Sequence, residues 1–285
     1  MKFTKMHGLG NNYIIFNLLT SSLEEQDLTS LAKAVSDVHF GIGSDGMILI
    51  CPSERADFRM RIFNKDGSEG KNCGNGLRCV GKYLFDQNLT TSNSFSIETL
   101  GGVVSVTVTR NQEKVTEFIT IDMGEPGLLK GMIPMEGDPM TTTIHEPFSI
   151  GGKEYHMTCV SMGNPHAILF VDHVNEIDLE EIGPVFEHAE VFPERVNLGI
   201  AHVLNGHEID YRVWERGSGI TMACGTGACA AVVAAILNER VEKHQLVKVH
   251  LPGGNLEVTW DENNHIWKKG TAEYICHGEI EVAGI

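Results

Sequence analysis

Two cysteines stand in closely similar surroundings in distant parts of the sequence. Cys73 lies in RIFNKDGSEGKNCGNGL, residues 61–77, and Cys224 lies in RVWERGSGITMACGTGA, residues 212–228. Each segment starts with an arginine twelve positions before its cysteine and continues through two apolar residues and a polar loop to Cys-Gly-x-Gly. A thiol just ahead of a helical stretch lies beside uncovered backbone amides, which favour its thiolate form. Such a sulfur can remove or deliver a proton.

The likeness extends upstream of both cysteines. Asn11 follows a glycine and precedes the strand-like YIIF, and Asn164 follows a glycine and precedes AILFV. Asn11 stands 62 positions before Cys73, and Asn164 stands 60 positions before Cys224. An internal duplication explains both spacings. We predict one half from residues 1–124 with about 275–285, and a second half from residues 125–274.

Composition excludes several classes of protein. The 285 residues carry 22 Lys+Arg against 38 Asp+Glu, a net charge of −16, which repels phosphate backbones and anionic lipid. We therefore expect neither nucleic acid nor a membrane as partner. The seven cysteines show no zinc or disulfide spacing and the first residues show no apolar signal segment, so a cytoplasmic protein with reduced thiols is expected. The 31 glycines exceed the usual share of about 7%.

The pattern of apolar residues predicts a mixed α/β fold of short strands and few helices. Helices are expected near residues 24–37, 75–88, 178–188 and 226–240, with strands in most of the remaining apolar runs. The segment ACAAVVAAIL, residues 228–237, is apolar on every face. A helix of that kind is buried all round, so strands must surround it. GIGSDG at 41–46 fits a dinucleotide-binding pattern, but it follows a helix and precedes a strand, so a turn is expected there.

Two equivalent thiols suggest inversion of a carbon centre. If one thiolate removes a proton from a carbon and one thiol returns a proton to its other face, the stereocentre inverts without a redox cofactor. The amides at the two helix N-termini would stabilise the intermediate charge. No metal ligand spacing occurs among the histidines, so we expect no metal. The remaining cysteines, at 51, 79, 159, 229 and 276, are expected to be buried small hydrophobes.

Six motifs closely resemble the diaminopimelate epimerase family. They are MHGLGN at 6–11, FNKDGSEGKNCGNGLRC at 63–79, GNPHA at 163–167, FPERVN at 192–197, WERGSGITMACGTGACA at 214–230 and LPGG at 251–254. The resemblance implies cofactor-independent interconversion of LL- and meso-diaminopimelate, a small-molecule substrate that supplies lysine and peptidoglycan synthesis. It also implies two pseudo-symmetric domains, each a curled sheet around a central helix, and a homodimer.

The resemblance also implies roles for individual residues. By their matching motifs, Cys73 and Cys224 are similar to the two acid/base groups, and His166 to a helper that polarises the cysteine environment. A backbone cradle for the reacting carboxylate is implied at Gly74, Asn75, Gly225 and Thr226. Orientation of the reacting amine and centre is implied for Asn11 and Glu215. Contact with the far L-centre is implied for Asn64, Asn164, Asn197 and Arg216. Without the motifs, Asn64 would be a turn residue and His166 a solvated loop histidine.

Two positions depart from the family pattern, and other functions remain open. Gly46 stands where some members have glutamine, so any contact made by that glutamine side chain is lost or moves to Ser44 or a backbone group. Met222 stands where glutamine is common. The alternatives are a proline or hydroxyproline type of racemase, an isomerase with a single carboxylate base, a redox protein cycling through a Cys73–Cys224 disulfide, and a non-catalytic amino-acid binder. The charged motifs ERGSG and FPERVN favour a substrate with a second charged end.

Overall fold

The chain forms two compact units. The computed structural model describes residues 1–20, 23–24, 27–71 and 73–281. Unit 1 comprises the described residues of 1–122 and 269–285, and unit 2 comprises residues 123–268. In chain order the elements are β1 (Lys2–Gly8), β2 (Asn11–Asn17), α1 (Leu28–Ser36), β3 (Gly46–Cys51), β4 (Phe58–Asn64), β5 (Glu69–Gly70), α2 (Gly74–Asp86), β6 (Ser94–Thr99), β7 (Gly102–Arg110), β8 (Thr116–Asp122), β9 (Glu146–Ile150), β10 (Lys153–Ser161), β11 (Pro165–Phe170), α3 (Leu179–Glu187), β12 (Asn197–Asn205), β13 (Glu208–Glu215), β14 (Gly219–Ile220), α4 (Gly225–Leu237), β15 (Leu246–Leu251), β16 (Gly254–Trp260), β17 (Ile266–Gly270) and β18 (Glu273–Glu279).

The strands of the two units are paired in the same sequence of directions. In unit 1, β1 is antiparallel to β2, β2 is parallel to β3, and β3 is antiparallel to β4, which is parallel to β6 after α2. In unit 2, β10, β11, β12, β13 and β15 repeat this order around α4. Helix α1 follows β2 as α3 follows β11. The predicted mixed α/β class, with two related halves, is confirmed.

The parallel pairs β2–β3 and β11–β12 are buried on both faces, which explains their continuous apolar runs. In β2, Ile14 and Phe16 pack in a cluster with Leu31 and Val35 of α1. Tyr13 and Ile15 alternate with them on the opposite face and are also buried. Each unit is therefore layered: an outer helix, a sheet, and a second helix beneath the inner face.

The second helix of each unit has strands around it. Helix α2 contacts β1, β2, β4, β7 and β8, and α4 contacts β10, β11, β12, β13, β15 and β16. In α4 every residue from Gly227 to Ala235 is buried. The prediction that ACAAVVAAIL is an enclosed helix is confirmed. Among the described residues, no helix is long and apolar enough to cross a membrane.

The predicted elements differ from the observed ones mainly at their ends and at the sheet edges. The four predicted helices are present, within about two residues at most ends, although α1 begins at Leu28. Strands β1, β5, β9, β10, β14 and β17 are additional. The apolar run EIEVAGI, residues 279–285, predicts a last strand that returns to the first. The strand that pairs with β1 is Glu273–Glu279, and residues 282–285 lie outside the described part. GIGSDG forms a turn with Gly43 at φ +78°, as predicted.

Close packing around α4 predicts a steric effect at Gly199. A Cβ at this position of β12 would lie 2.6 Å from the Tyr211 hydroxyl oxygen and 2.7 Å from Ile168 Cδ1. We expect Gly199→Ala to lower the free energy of unfolding by about 1–3 kcal/mol, measured by urea denaturation. Gly206→Ala is the matched control, because a Cβ there meets nothing within 4 Å. Equal stability of the two variants would contradict the packing.

Candidate functional site

Cys73 caps the N-terminus of α2. Its backbone is extended, with φ −146° and ψ 102°, and its sulfur accepts a hydrogen bond from the Gly76 N–H at 3.3 Å. The Tyr13 hydroxyl oxygen lies 3.0 Å from the same sulfur. Cys73 is half-buried, so a reagent or substrate can reach it. The partial positive charge of the helix end also lies beside this sulfur.

The other candidate residues of unit 1 occupy the ends of neighbouring elements. Gly74 and Asn75 form the first turn of α2, and Asn11 begins β2. Gly8 of β1 approaches this turn closely, since a Cβ there would lie 3.0 Å from the Asn75 carbonyl oxygen. Asn64 is exposed at the end of β4, where its Nδ2 donates to the Ser68 hydroxyl at 3.0 Å. Asn64 therefore stabilises a turn, and its contact with substrate stays a prediction.

Cys224 occupies the matching place in unit 2, the N-cap of α4. It is 4% exposed, and its sulfur lies 3.5 Å from the Thr226 hydroxyl oxygen. Burial, and next the nearby Glu215 carboxylate, raise the pKa of the Cys224 thiol far above its usual range. The expectation that the helix end favours a thiolate is wrong at this cysteine, because loss of hydration and the neighbouring carboxylate outweigh the amides.

Glu215 ends β13 and links Cys224 to the ERGSG loop. It accepts a hydrogen bond from the Thr221 hydroxyl and shares one with Cys224. Burial raises the pKa of this carboxyl, partly opposed by those hydrogen bonds. A carboxyl with a raised pKa beside a neutral thiol can take part in proton exchange at that sulfur.

His166 is buried in β11 and faces the first turn of α4. Its Nε2 lies 3.1 Å from the Asn164 amide oxygen and 3.1 Å from the Thr226 hydroxyl oxygen. Because an amide oxygen only accepts, Nε2 carries the proton in this arrangement. Burial, and next the charge of Arg216, lower the pKa of His166 to about 3. The interpretation as a solvated loop histidine is wrong; a neutral imidazole is connected through Thr226 to Cys224.

Asn197 and Arg216 are joined to each other within unit 2. The Asn197 amide donates to the Pro165 carbonyl at 2.7 Å and accepts from the Arg216 backbone N–H at 3.0 Å. Asn197 is 2% exposed, so its amide is used inside the protein. Arg216 is exposed, and its guanidinium donates to the Glu194 carbonyl at 2.7 Å. This bond joins the FPERVN and ERGSG loops, and it leaves further guanidinium N–H groups for a carboxylate.

Two residues that the sequence analysis does not single out also shape these surroundings. Glu187 of α3 accepts from the Gly217 N–H at 2.9 Å and from the Trp214 indole at 2.8 Å, which holds the ERGSG loop. A glutamate at a helix end carries no sequence signal for this role. Tyr13 contacts Cys73, and here a signal exists: aligning Asn11 with Asn164 places Tyr13 opposite His166.

The two departures from the family pattern have different surroundings. A Cβ at Gly46 would lie 2.5 Å from the Phe63 carbonyl oxygen, so this backbone has room for glycine only. The Ser44 hydroxyl donates to the Gly46 carbonyl at 2.9 Å and is buried, which engages it within the turn. Met222 is 51% exposed.

The remaining cysteines divide by burial. All seven cysteines are free thiols. Cys79, Cys159 and Cys229 are buried, as predicted, and burial raises the pKa of Cys79 to about 12. Cys51 is half-buried, and the prediction for Cys276 is wrong, because this residue of β18 is exposed.

His166 predicts a pH dependence of stability. Its pKa is lowered in the folded protein, so the unfolded chain takes up the proton first as pH falls below about 6.5. From pH 7 to pH 5, this histidine should lower the free energy of unfolding by about 2 kcal/mol. Urea denaturation at pH 7 and pH 5 measures this loss of unfolding free energy, which should be about 2 kcal/mol smaller in His166→Gln than in the wild type. The exposed His207→Gln should keep the wild-type loss; equal losses in all three proteins would contradict the prediction.

Comparison with named proteins covers nearly the whole chain. The sequence model of the family described as diaminopimelate epimerase matches residues 3–129 and 158–275. The diaminopimelate epimerase of Bacillus cereus strain AH187 is 53% identical over 279 residues, which is 98% of this chain and 96% of that protein. The diaminopimelate epimerase of Bacillus cytotoxicus shows the same identity and coverage.

Solved structures share the fold at low identity. A PhzF-family phenazine biosynthesis protein of Bacillus anthracis gives a TM-score of 0.72 at 18% identity, covering 99% of each chain. A hydroxyproline epimerase of Agrobacterium vitis with bound trans-4-hydroxy-L-proline gives 0.68 at 12% identity, covering 98% of this chain and 90% of that chain. At such identities the likeness concerns the fold. The family match and the 53% identical relatives together establish that the chain belongs to the diaminopimelate epimerase family.

Proposed function

We propose that the protein interconverts LL- and meso-2,6-diaminopimelate with two cysteine acid/base groups and no cofactor. The observation that carries the proposal is that each unit presents a cysteine, in a matching motif, as the N-cap of its central helix. Membership of the diaminopimelate epimerase family supports the substrate. An isomerase of this kind would act in lysine and peptidoglycan precursor synthesis.

In the proposed reaction one sulfur takes a proton from the α-carbon and the other gives one back. From the LL side, the Cys73 thiolate removes the α-proton and becomes a thiol, leaving the electron pair on carbon. The Cys224 thiol then delivers its proton to the opposite face and becomes a thiolate. The reverse reaction uses the exchanged roles, so no electron donor or acceptor is needed.

The surroundings of the sulfurs support these starting protonation states. The Cys73 sulfur has two donors within 3.3 Å, the Tyr13 hydroxyl and the Gly76 N–H. Cys224 is buried beside Glu215, and both conditions keep it a neutral thiol. These surroundings support Cys73 as the base and Cys224 as the acid in the LL direction.

We propose that helix N-termini hold the reacting carboxylate. The first turns of α2 and α4 hold Gly74, Asn75, Gly225 and Thr226, and the amides at a helix N-terminus form a natural site for an anion. Their dipoles favour negative charge on the carboxylate and on the carbanion that develops beside it. Asn11 and Glu215 would orient the reacting amine.

The far amino-acid centre would be bound by the exposed guanidinium of Arg216 with Asn64 and Asn164. A guanidinium can hold a carboxylate through two parallel hydrogen bonds. Because the Asn197 amide is engaged with the Arg216 backbone, we propose that Asn197 acts by holding Arg216 in place. The division into halves at residues 124 and about 275, the homodimer and the cytoplasmic location stay predictions.

Isotope exchange tests the reaction. The reduced protein, freed of bound small molecules, is incubated with LL-diaminopimelate in heavy water, and mass spectrometry follows deuterium at the α-carbon together with the meso product. We expect deuterium in the product, because the returning proton comes from a thiol that exchanges with solvent. Absence of label or of the meso isomer would overturn the proposal, and exchange into proline instead would favour the racemase alternative.

Alanine variants test the two cysteines. Cys73→Ala and Cys224→Ala should each lower kcat/KM by about 10²–10⁴-fold, the usual contribution of one general acid or base. Cys276→Ala, at the exposed cysteine of β18, is the control and should keep wild-type kinetics. A fully active Cys73→Ala would contradict the two-base mechanism.

A further inference from the structure

The Tyr13 side chain makes a direct contact with the Cys73 sulfur. Tyr13 is 5% exposed on the inner face of β2, and its hydroxyl oxygen lies 3.0 Å from that sulfur. A phenol at this distance from a sulfur is within hydrogen-bond reach. Removing the hydroxyl would leave the ring and its packing in place, so the contact can be tested separately from the fold.

The internal repeat gives this contact a counterpart in unit 2. Tyr13 follows Asn11 by two positions, as His166 follows Asn164. Both side chains project from equivalent strands to the first turn of the central helix. His166 reaches the Thr226 hydroxyl at 3.1 Å, which lies 3.5 Å from the Cys224 sulfur, whereas Tyr13 reaches its cysteine directly.

The hydrogen bond runs from the phenol to the sulfur when Cys73 is ionised. Burial, and next the charge of Cys73, raise the pKa of Tyr13 well above its usual value, so the phenol keeps its proton. A thiolate can only accept, and its partners are the phenol and the Gly76 N–H. A hydrogen bond to an ionised group is stronger than one to a neutral thiol.

The charged and titratable groups around this pair come from four elements. Besides Tyr13 they are Asp45 in the turn before β3 and Cys79 of α2, and Cys79 is in turn influenced by Arg78 of α2 and Glu273 of β18. Asp45 accepts from the Asn12 backbone and side chain at 2.8 and 3.1 Å. Burial keeps Cys79 neutral. The phenol is thus the titratable side chain in hydrogen-bond contact with the sulfur among the described residues.

We propose that Tyr13 is a positioning residue for proton transfer at Cys73: its hydroxyl donates to the thiolate and favours Cys73 as the base of the resting enzyme. The inference rests on the proposed role of Cys73. The Tyr13 hydroxyl shifts the protonation equilibrium of the Cys73 sulfur, and Tyr13 itself transfers no proton to substrate.

The decisive variant is Tyr13→Phe, studied by alkylation. Iodoacetamide reacts with thiolates, so the rate at each pH, measured by mass spectrometry on the peptide carrying Cys73, gives the pH midpoint of ionisation. We expect this midpoint to rise by about one pH unit, with about tenfold slower alkylation below it. Exposed Cys276 in the same sample is the internal control and should alkylate as in wild type.

Tyr211→Phe is the matched variant. Tyr211 is also buried, and its hydroxyl has no hydrogen-bond partner among the described residues. Tyr211→Phe removes the same atom as Tyr13→Phe, but from a hydroxyl that has no hydrogen bond to Cys73. The Cys73 midpoint should therefore stay at its wild-type value. A rise equal to that of Tyr13→Phe would overturn the inference. If Tyr13→Phe fails to fold, 3-fluorotyrosine at position 13, a stronger donor, should lower the midpoint; an unchanged midpoint would overturn the inference as well.

Kinetics separate this inference from the proposed function. In Tyr13→Phe, the acid limb of kcat/KM for LL-diaminopimelate should move up with the alkylation midpoint, while KM at high pH stays near wild type. An unmoved midpoint overturns the role of Tyr13 and leaves the two-base mechanism intact. A moved midpoint with an unmoved kinetic limb supports the hydrogen bond and overturns Cys73 as the base.

Discussion

Enclosure of an apolar helix is the constraint on which both units depend. Helix α4 has no face that water could solvate, so strands of the unit must cover it. Enclosure buries the helix sides but leaves the N-terminal amides without partners in the helix itself. The residue before that end is Cys73 in α2 and Cys224 in α4. A cysteine at this position has a structural role at the start of the helix and a chemical one, because its sulfur lies beside backbone amides.

The two capped helices are alike in backbone and unlike in electrostatics. Cys73 is half-buried and lies between a phenol and an amide, whereas Cys224 is buried beside a carboxyl. The helix dipole acts on both, so it cannot make them different. The difference comes from side chains that reach each sulfur from the surrounding strands. This asymmetry supports the proposed two-base reaction, which needs one ionised and one neutral group.

Sequence reasoning predicted the fold class, the two related halves and the enclosed helix α4, because these features depend on periodicity and repetition within short segments. It missed β1, which pairs with β18 near the other end of the chain, and β10, whose first residues are mostly polar and exposed. It misjudged Cys276, since alternation in β18 does not reveal which face a sheet edge leaves open. The assignment of Asn197 to substrate stays a prediction, and the sequence does not show that the Asn197 amide bonds to Pro165 and Arg216. Hydrogen-bond partners 19 or 32 positions apart leave no mark in composition.

Individual glycines of the chain have different physical causes. Gly43 has a positive φ and Gly46 has no room for a Cβ, so both are explained by backbone geometry with no reference to ligand. Gly76 serves differently: a Cβ there would lie 2.8 Å from Ile48 Cδ1 and 3.4 Å from the Cys73 sulfur. The Gly76 N–H donates to that sulfur, while the lack of a Cβ makes room for Ile48. Glycine enrichment near a cysteine therefore reflects packing and turn geometry as well as the amides beside the sulfur.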